Sequence, residues 1–142
     1  QEPDGNYVLR DIAAPYYNVS SKETVGLAKL TMLVDKSCNE CYNVSIHKAI
    51  LARFGLVPYK EETVDISGSI GMDLVKKYKI KNVPTIIVSK EANVYNALNS
   101  VWPQVGTVEG DGTYIFRQLD VMQVTYKDLE AGKIIAANNT GN

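Results

Sequence analysis

The stretch TMLVDKSCNECYNVSIHKAI, residues 31–50, holds both of the protein's cysteines, Cys38 and Cys41, with two residues between them. So close a pair makes a poor structural staple, because closing a short loop removes little entropy from the unfolded chain. A metal site calls for about four ligands, and the chain offers two thiols and one histidine, His47. Carboxylates could complete a zinc shell, but thiol–disulfide chemistry fits the pair better, and neither a metal nor a cofactor is expected. Tyr42 stands after the second cysteine where attachment of a c-type haem needs a histidine.

The flanking sequence supplies the frame. Before Cys38, residues 27–35 (LAKLTMLVD) form an apolar, strand-like run. After Cys41, residues 42–55 (YNVSIHKAILARFG) read as a helix with Ile46, Ala49, Ile50 and Phe54 on one face. Val44 and Leu51 widen that face, and Gly55 stops the helix. This reading puts Cys38 at a helix N-terminus, where free N–H groups and the macrodipole favour the nucleophilic thiolate. Residues 61–67 (EETVDIS) alternate as a strand. Residues 68–80 form a second helix with Ile70, Leu74 and Tyr78 four apart, and residues 81–90 (KNVPTIIVSK) lead through Val-Pro-Thr into a β-branched strand. Alternating strands and helices predict an α/β fold with parallel pairing.

With SCNEC at residues 37–41 and Tyr-x-Ile-x-x-Val-Pro-Thr at residues 78–85, the chain resembles the thioredoxin family over about Leu30 to Ser89. The resemblance implies a three-layer fold, a central mixed sheet between helices; an inserted helix after the strand that follows the proline is this chain's own departure from it. It also implies a cis Pro84, with the Val83 backbone pairing with an extended substrate strand and Thr85 beside it. Cys38 and Cys41 become the catalytic pair of a thiol–disulfide oxidoreductase. Its partners would be protein dithiols or disulfides and a second redox protein. The alternative is a non-catalytic thioredoxin-like interaction module of a tandem-repeat or multidomain protein, its disulfide slow or vestigial.

The chain departs from the family at several positions. Ser37 stands where the family has tryptophan, and Asn39-Glu40 replaces Gly-Pro. Asp35 is the nearest counterpart, displaced toward the loop, of the buried acid that deprotonates the family's second cysteine. Glu40 adds negative charge that opposes a thiolate, and Lys36 pulls the other way; together with Asn39 these are the expected tuning residues, unless they are simply a solvated loop. His47 reads as a surface or packing residue rather than a catalytic base.

Beyond Ser89, residues 91–106 (EANVYNALNSVWPQVG) carry an inserted amphipathic helix. Val94, Leu98 and Val101 repeat, and Trp102 and Pro103 close it. It is either a structural cover or a lid, and its start at the far end of a strand from Pro84 favours structure. Residues 106–118 form a hairpin around Asp111-Gly112, residues 124–132 a short final helix, and residues 136–142 a polar tail. DGNYVLR at Asp4–Arg10 echoes DGTYIFR at Asp111–Arg117, which is either the trace of a tandem domain or a chance likeness. Ser20–Glu23 has capping-box form and predicts a short helix. The organisation expected is an N-terminal extension over residues 1–17, one domain over 18–131 and a flexible tail over 132–142, with a neighbouring thioredoxin-like domain as a further partner.

Composition sets the outer limits. The 142 residues, 45% hydrophobic and 22% charged, suit one globular domain. A net charge of −1 without a basic run gives no case for nucleic acid, and no apolar run reaches the length of a membrane span. The polar start, Gln1 onward, reads as a trimmed mature end or an excised domain, which favours an extracytoplasmic location, periplasmic or secreted, over a cytoplasmic one.

Overall fold

A computed structural model describes residues 16–18 and 23–137. Strands β1 (Tyr16–Asn18) and β2 (Glu23–Val25) form an antiparallel pair. Glu23 therefore lies in a strand and not in the helix its capping-box pattern predicts; here a partner strand overrides a local signal. The echo at Asp4–Arg10 lies outside the described residues.

Strand β3 (Lys29–Val34) is followed by helix α1 (Ile46–Arg53) and strand β4 (Lys60–Asp65). The two strands are parallel, in register from Lys29 opposite Lys60 to Val34 opposite Asp65. Helix α2 (Ser69–Tyr78) then leads to β5 (Asn82–Val83) and β6 (Thr85–Val88). After helix α3 (Asn96–Val101), β7 (Gly106–Val108) and β8 (Tyr114–Phe116) form the expected hairpin. Its turn places Gly112 at φ +90°, a conformation that glycine accepts without steric cost. The sheet runs β4-β3-β6-β8-β7, mixed because only the β3–β4 pair is parallel.

Alternation along the strands builds two apolar layers. Leu30 and Met32 of β3, Ile86 and Val88 of β6, and Tyr114 and Phe116 of β8 join Leu51 of α1, Leu98 of α3 and Trp102. Leu33, Ile87 and Ile115 turn the other way, onto Tyr78 of α2 and onto Val83. Because both faces are covered, β3 and β6 read as almost continuous apolar runs. At Gly71 of α2 an added Cβ would lie 2.1 Å from the Asp65 carbonyl oxygen, so only glycine lets this helix approach the end of β4 so closely.

Both helical faces differ from expectation by a small rotation. In α1 the inward residues are His47 and Leu51, with Ile50 and Phe54 beside them, while Ile46 is 40% exposed. In α2 Ile70 is 64% exposed, and the helix turns Gly71, Leu74, Val75 and Tyr78 inward. In each case the inward face is turned by about one residue, so that His47 replaces Ile46 and Gly71 replaces Ile70 while Leu51, Leu74 and Tyr78 stay inside.

The segment at 124–132, expected as a helix, is a hairpin. Strands β9 (Tyr126–Asp128) and β10 (Lys133–Ile135) pair antiparallel, and β9 also pairs with β5, giving a second sheet β10-β9-β5. The Asp128 carboxylate accepts the Glu130 and Ala131 N–H groups, and Gly132, at φ +67°, donates to Asp128 O. This aspartate-initiated turn competes with helix locally, and β5 supplies the strand's remaining partner. Strand β10 lies within the segment read as tail. No helix among the described residues is long and apolar enough to cross a membrane.

Candidate functional site

Strand β3 ends in a turn that carries the cysteines. The Cys38 N–H donates to Asp35 O at 2.9 Å. The Asp35 carboxylate closes the turn from inside: Oδ1 accepts the Ser37 N–H at 2.9 Å and the Ser37 hydroxyl at 2.6 Å. Oδ2 accepts from Lys127 Nζ at 2.7 Å. These bonds, the Lys127 ammonium first and the Ser37 hydroxyl second, hold the Asp35 carboxyl below its usual range. Asp65, at the end of the neighbouring strand, accepts the Lys36 N–H at 2.7 Å and fixes the other flank of the turn.

Cys38 and Cys41 are joined as a disulfide, and both are half-buried. The expectation that Cys38 sits at a helix N-terminus does not hold, because α1 begins eight residues later, at Ile46. The cause is local. Asn43 Oδ1 accepts the Ser45 N–H at 2.9 Å and the Ser45 hydroxyl at 2.7 Å, an asparagine turn that starts the helix late. The macrodipole of α1 therefore gives Cys38 no direct support. Lys36, Asn39 and Glu40 are all solvent-exposed around the pair.

The proline loop adjoins the cysteine loop. The Val83–Pro84 peptide is cis. Tyr42, directly after Cys41, donates its hydroxyl to Pro84 O at 3.1 Å. The same hydroxyl lies 2.7 Å from His47 Nε2. Having given its one proton to the proline carbonyl, the phenol accepts from His47, which places the imidazole proton on Nε2. His47 is 2% exposed and packs edge-on against Phe116, with ring centroids 4.8 Å apart. Burial pushes its pKa down to about 4 and pushes that of Tyr42 upward. The histidine is thus a neutral packing group that braces Tyr42.

Thr85 is fully buried, and its hydroxyl donates to Phe116 O at 2.6 Å. Its side chain therefore holds β6 to the end of β8. Val83 is also fully buried, and its backbone is paired with Lys127 of β9. Cys38, Cys41 and Pro84 are thus gathered at one end of β3, with Val83 covered and Thr85 turned inward.

Tyr42, His47 and Lys127 are site neighbours whose part in the site sequence reasoning did not give, although it did read His47 as a surface or packing residue rather than a base. A tyrosine directly after the CxxC, with a histidine five residues on along an incipient helix, was the available signal for the first two. Nothing local marks Lys127.

The inserted segment packs Ala92, Tyr95, Leu98 and Trp102 into the core. Short 3-10 turns at Lys90–Val94 and Trp102–Gln104 flank α3. Trp102, 3% exposed, stacks edge-on with Tyr114 and Phe116 and donates its indole N–H to Thr107 O at 3.0 Å. Together with His47 and Phe116 it borders an apolar cavity of about 230 Å³. Compared with family models, curated proteins and solved structures, the chain matches none.

Proposed function

We propose that the chain is a thiol–disulfide oxidoreductase of thioredoxin-like architecture that exchanges disulfides with protein substrates through Cys38 and Cys41. The observation that carries this reading is the meeting of a disulfide at CxxC spacing with the Val83–Pro84 loop, bridged by Tyr42 next to Cys41. In the reduced form the Cys38 thiolate attacks one sulfur of a substrate disulfide, forms a mixed disulfide and releases the other sulfur as a thiolate. The Cys41 thiolate then attacks Cys38 Sγ, closes the Cys38–Cys41 bond and releases the second substrate thiolate. Two electrons pass from the pair to the substrate, and a partner dithiol restores them. Oxidation of a substrate dithiol is the same sequence reversed. Pro84 borders the approach of the substrate backbone and Val83 offers its own backbone there where β9 gives way. Thr85 anchors the strand beneath them, and Lys36 and Glu40 set the charge around the pair with the polar Asn39 between them.

A bonded cysteine pair persists outside the reducing cytosol, which favours an extracytoplasmic location, periplasmic or secreted. The second reading, a non-catalytic interaction module of a larger protein, draws support from two observations. Helix α1 starts too late to stabilise a Cys38 thiolate, and β9 covers Val83. Reduction of insulin disulfides by the reduced chain separates the two. Turnover that is lost in Cys38→Ser supports the enzyme, whereas a stable oxidised pair without turnover supports the module. Limited alkylation of the reduced chain should label Cys38 before Cys41, and the opposite order would exchange their roles.

A further inference from the structure

The edge of β5 beside the cysteine loop is already occupied. Strand β9 runs antiparallel along it, with Asn82 opposite Asp128 and Val83 opposite Lys127. The same segment is tied down at three further points. The Tyr42 N–H donates to Thr125 O at 2.9 Å, and the Leu129 N–H to Lys81 O at 2.7 Å. Lys127 Nζ reaches Asp35 Oδ2 at 2.7 Å. Asp35 stands three residues before Cys38, and Tyr42 directly follows Cys41, so residues 125–129 are fastened to both ends of the cysteine loop.

We propose that residues 125–129 hold the place of an extended peptide partner, which enters by exchanging its backbone for β9 on β5 and carries a basic residue that Asp35 reads. The proposal rests on the oxidoreductase reading only in identifying that peptide as the substrate segment next to the exchanging disulfide.

The need for a cation follows from burial. The Asp35 side chain is 8% exposed, and Lys127 is the partner of its Oδ2. When β9 leaves, the carboxylate stays in place with that oxygen uncompensated, and a buried charge stripped of its partner is costly. Asp65 lies close enough for the two carboxylates to repel. A neutral peptide leaves this charge unanswered, and an acidic one adds to it. A lysine or arginine at the position of Lys127 restores the balance and also fixes the register, because a one-residue slip would turn that side chain to the other face.

Exchange is feasible because the ladder is short. Strand β9 has three residues, two of them paired with β5, and its other neighbour is the equally short β10. Strand addition supplies main-chain hydrogen bonds for affinity and leaves specificity to the alternate side chains. Leu129 packs against the layer around Leu33 and Val83. The preferred peptide therefore has a basic residue with an apolar one two positions later.

The test uses Lys127→Ala in the full chain and two labelled peptides. One has the sequence of residues 124–131, VTYKDLEA, and the other carries glutamate in place of its lysine. The lysine peptide should bind about tenfold or more tightly than the glutamate peptide, and Asp35→Asn added to Lys127→Ala should abolish the preference. Equal binding of the two peptides, no binding of either, or a preference that survives Asp35→Asn overturns the proposal. Should Lys127→Ala fail to fold, the unaltered chain with excess peptide gives the answer through hydrogen exchange at the Leu129 amide. Faster exchange with the lysine peptide alone supports strand exchange; equal or unchanged exchange overturns it. None of these readouts involves sulfur chemistry, so failure to reduce insulin would remove the proposed activity without touching this result.

Discussion

Lys127 Nζ lies 2.7 Å from Asp35 Oδ2, and that one contact joins β9 to the end of β3 across 92 positions of the chain. Lys127→Ala should lower stability by about 2 kcal/mol, in the range of a charge-assisted hydrogen bond that is partly shielded from water. The native pKa of Asp35 is depressed, so its contribution is complete above about pH 4 and is lost as pH falls through the lower native value. In Lys127→Ala that acid-labile part should shrink. Urea midpoints at pH 7 and pH 3 for the single variants and for the Lys127→Ala, Asp35→Asn pair measure the coupling.

His47 acts in the same direction over a higher pH window. Its native pKa of about 4 lies below the ordinary 6.5. Between these values the unfolded chain takes up a proton that the folded chain refuses. Stability is therefore full above about pH 6.5, falls as pH drops through the window and levels off below about 4, a loss on the order of 3 kcal/mol. His47→Gln, which keeps a donor for Tyr42, should flatten that slope. Urea unfolding at pH 7 and pH 4.5 compares the two chains, and an equal slope in the variant would contradict this account.

Trp102→Ala should cost about 3–5 kcal/mol, since it removes a buried aromatic and enlarges an apolar cavity already present beside it. The rate of Cys38 alkylation in the reduced chain should stay nearly unchanged. Intact stability with altered Cys38 reactivity would instead make the inserted segment a lid.

Gly71→Ala should destabilise the junction of α2 with β4 by about 1–3 kcal/mol, as overpacking does, because its Cβ would collide with the Asp65 carbonyl. Gly110→Ala, where an added Cβ meets nothing within 4 Å, is the matched control and should leave the thermal midpoint almost in place.

The central part of the fold was legible because its signals are local. Residues 27–35 and 85–88 are apolar runs too short for helices, and Ser69–Tyr78 carries a helical pattern ended by Lys79 in a left-handed conformation. The cysteine spacing and the Val-Pro-Thr sequence marked where the site would form. Two features were hidden for different reasons. The late start of α1 depends on a side-chain turn at Asn43, which periodicity does not record. The strand at Tyr126–Asp128 depends on β5, more than forty residues upstream. Its Asp-Leu-Glu-Ala continuation suits a helix equally well, and only the distant partner decides between them.

The hairpin that flanks the cysteines is also among the last parts of the described chain to be synthesised. At about 5–20 residues per second, several seconds separate the emergence of Cys41 from that of Thr125. Throughout that interval the backbone at Asn82–Val83 has no β9 to pair with, and Asp35 has no Lys127. A nascent chain therefore meets neighbouring polypeptides with the edge of β5 and the Asp35 carboxylate open, and the finished protein does not.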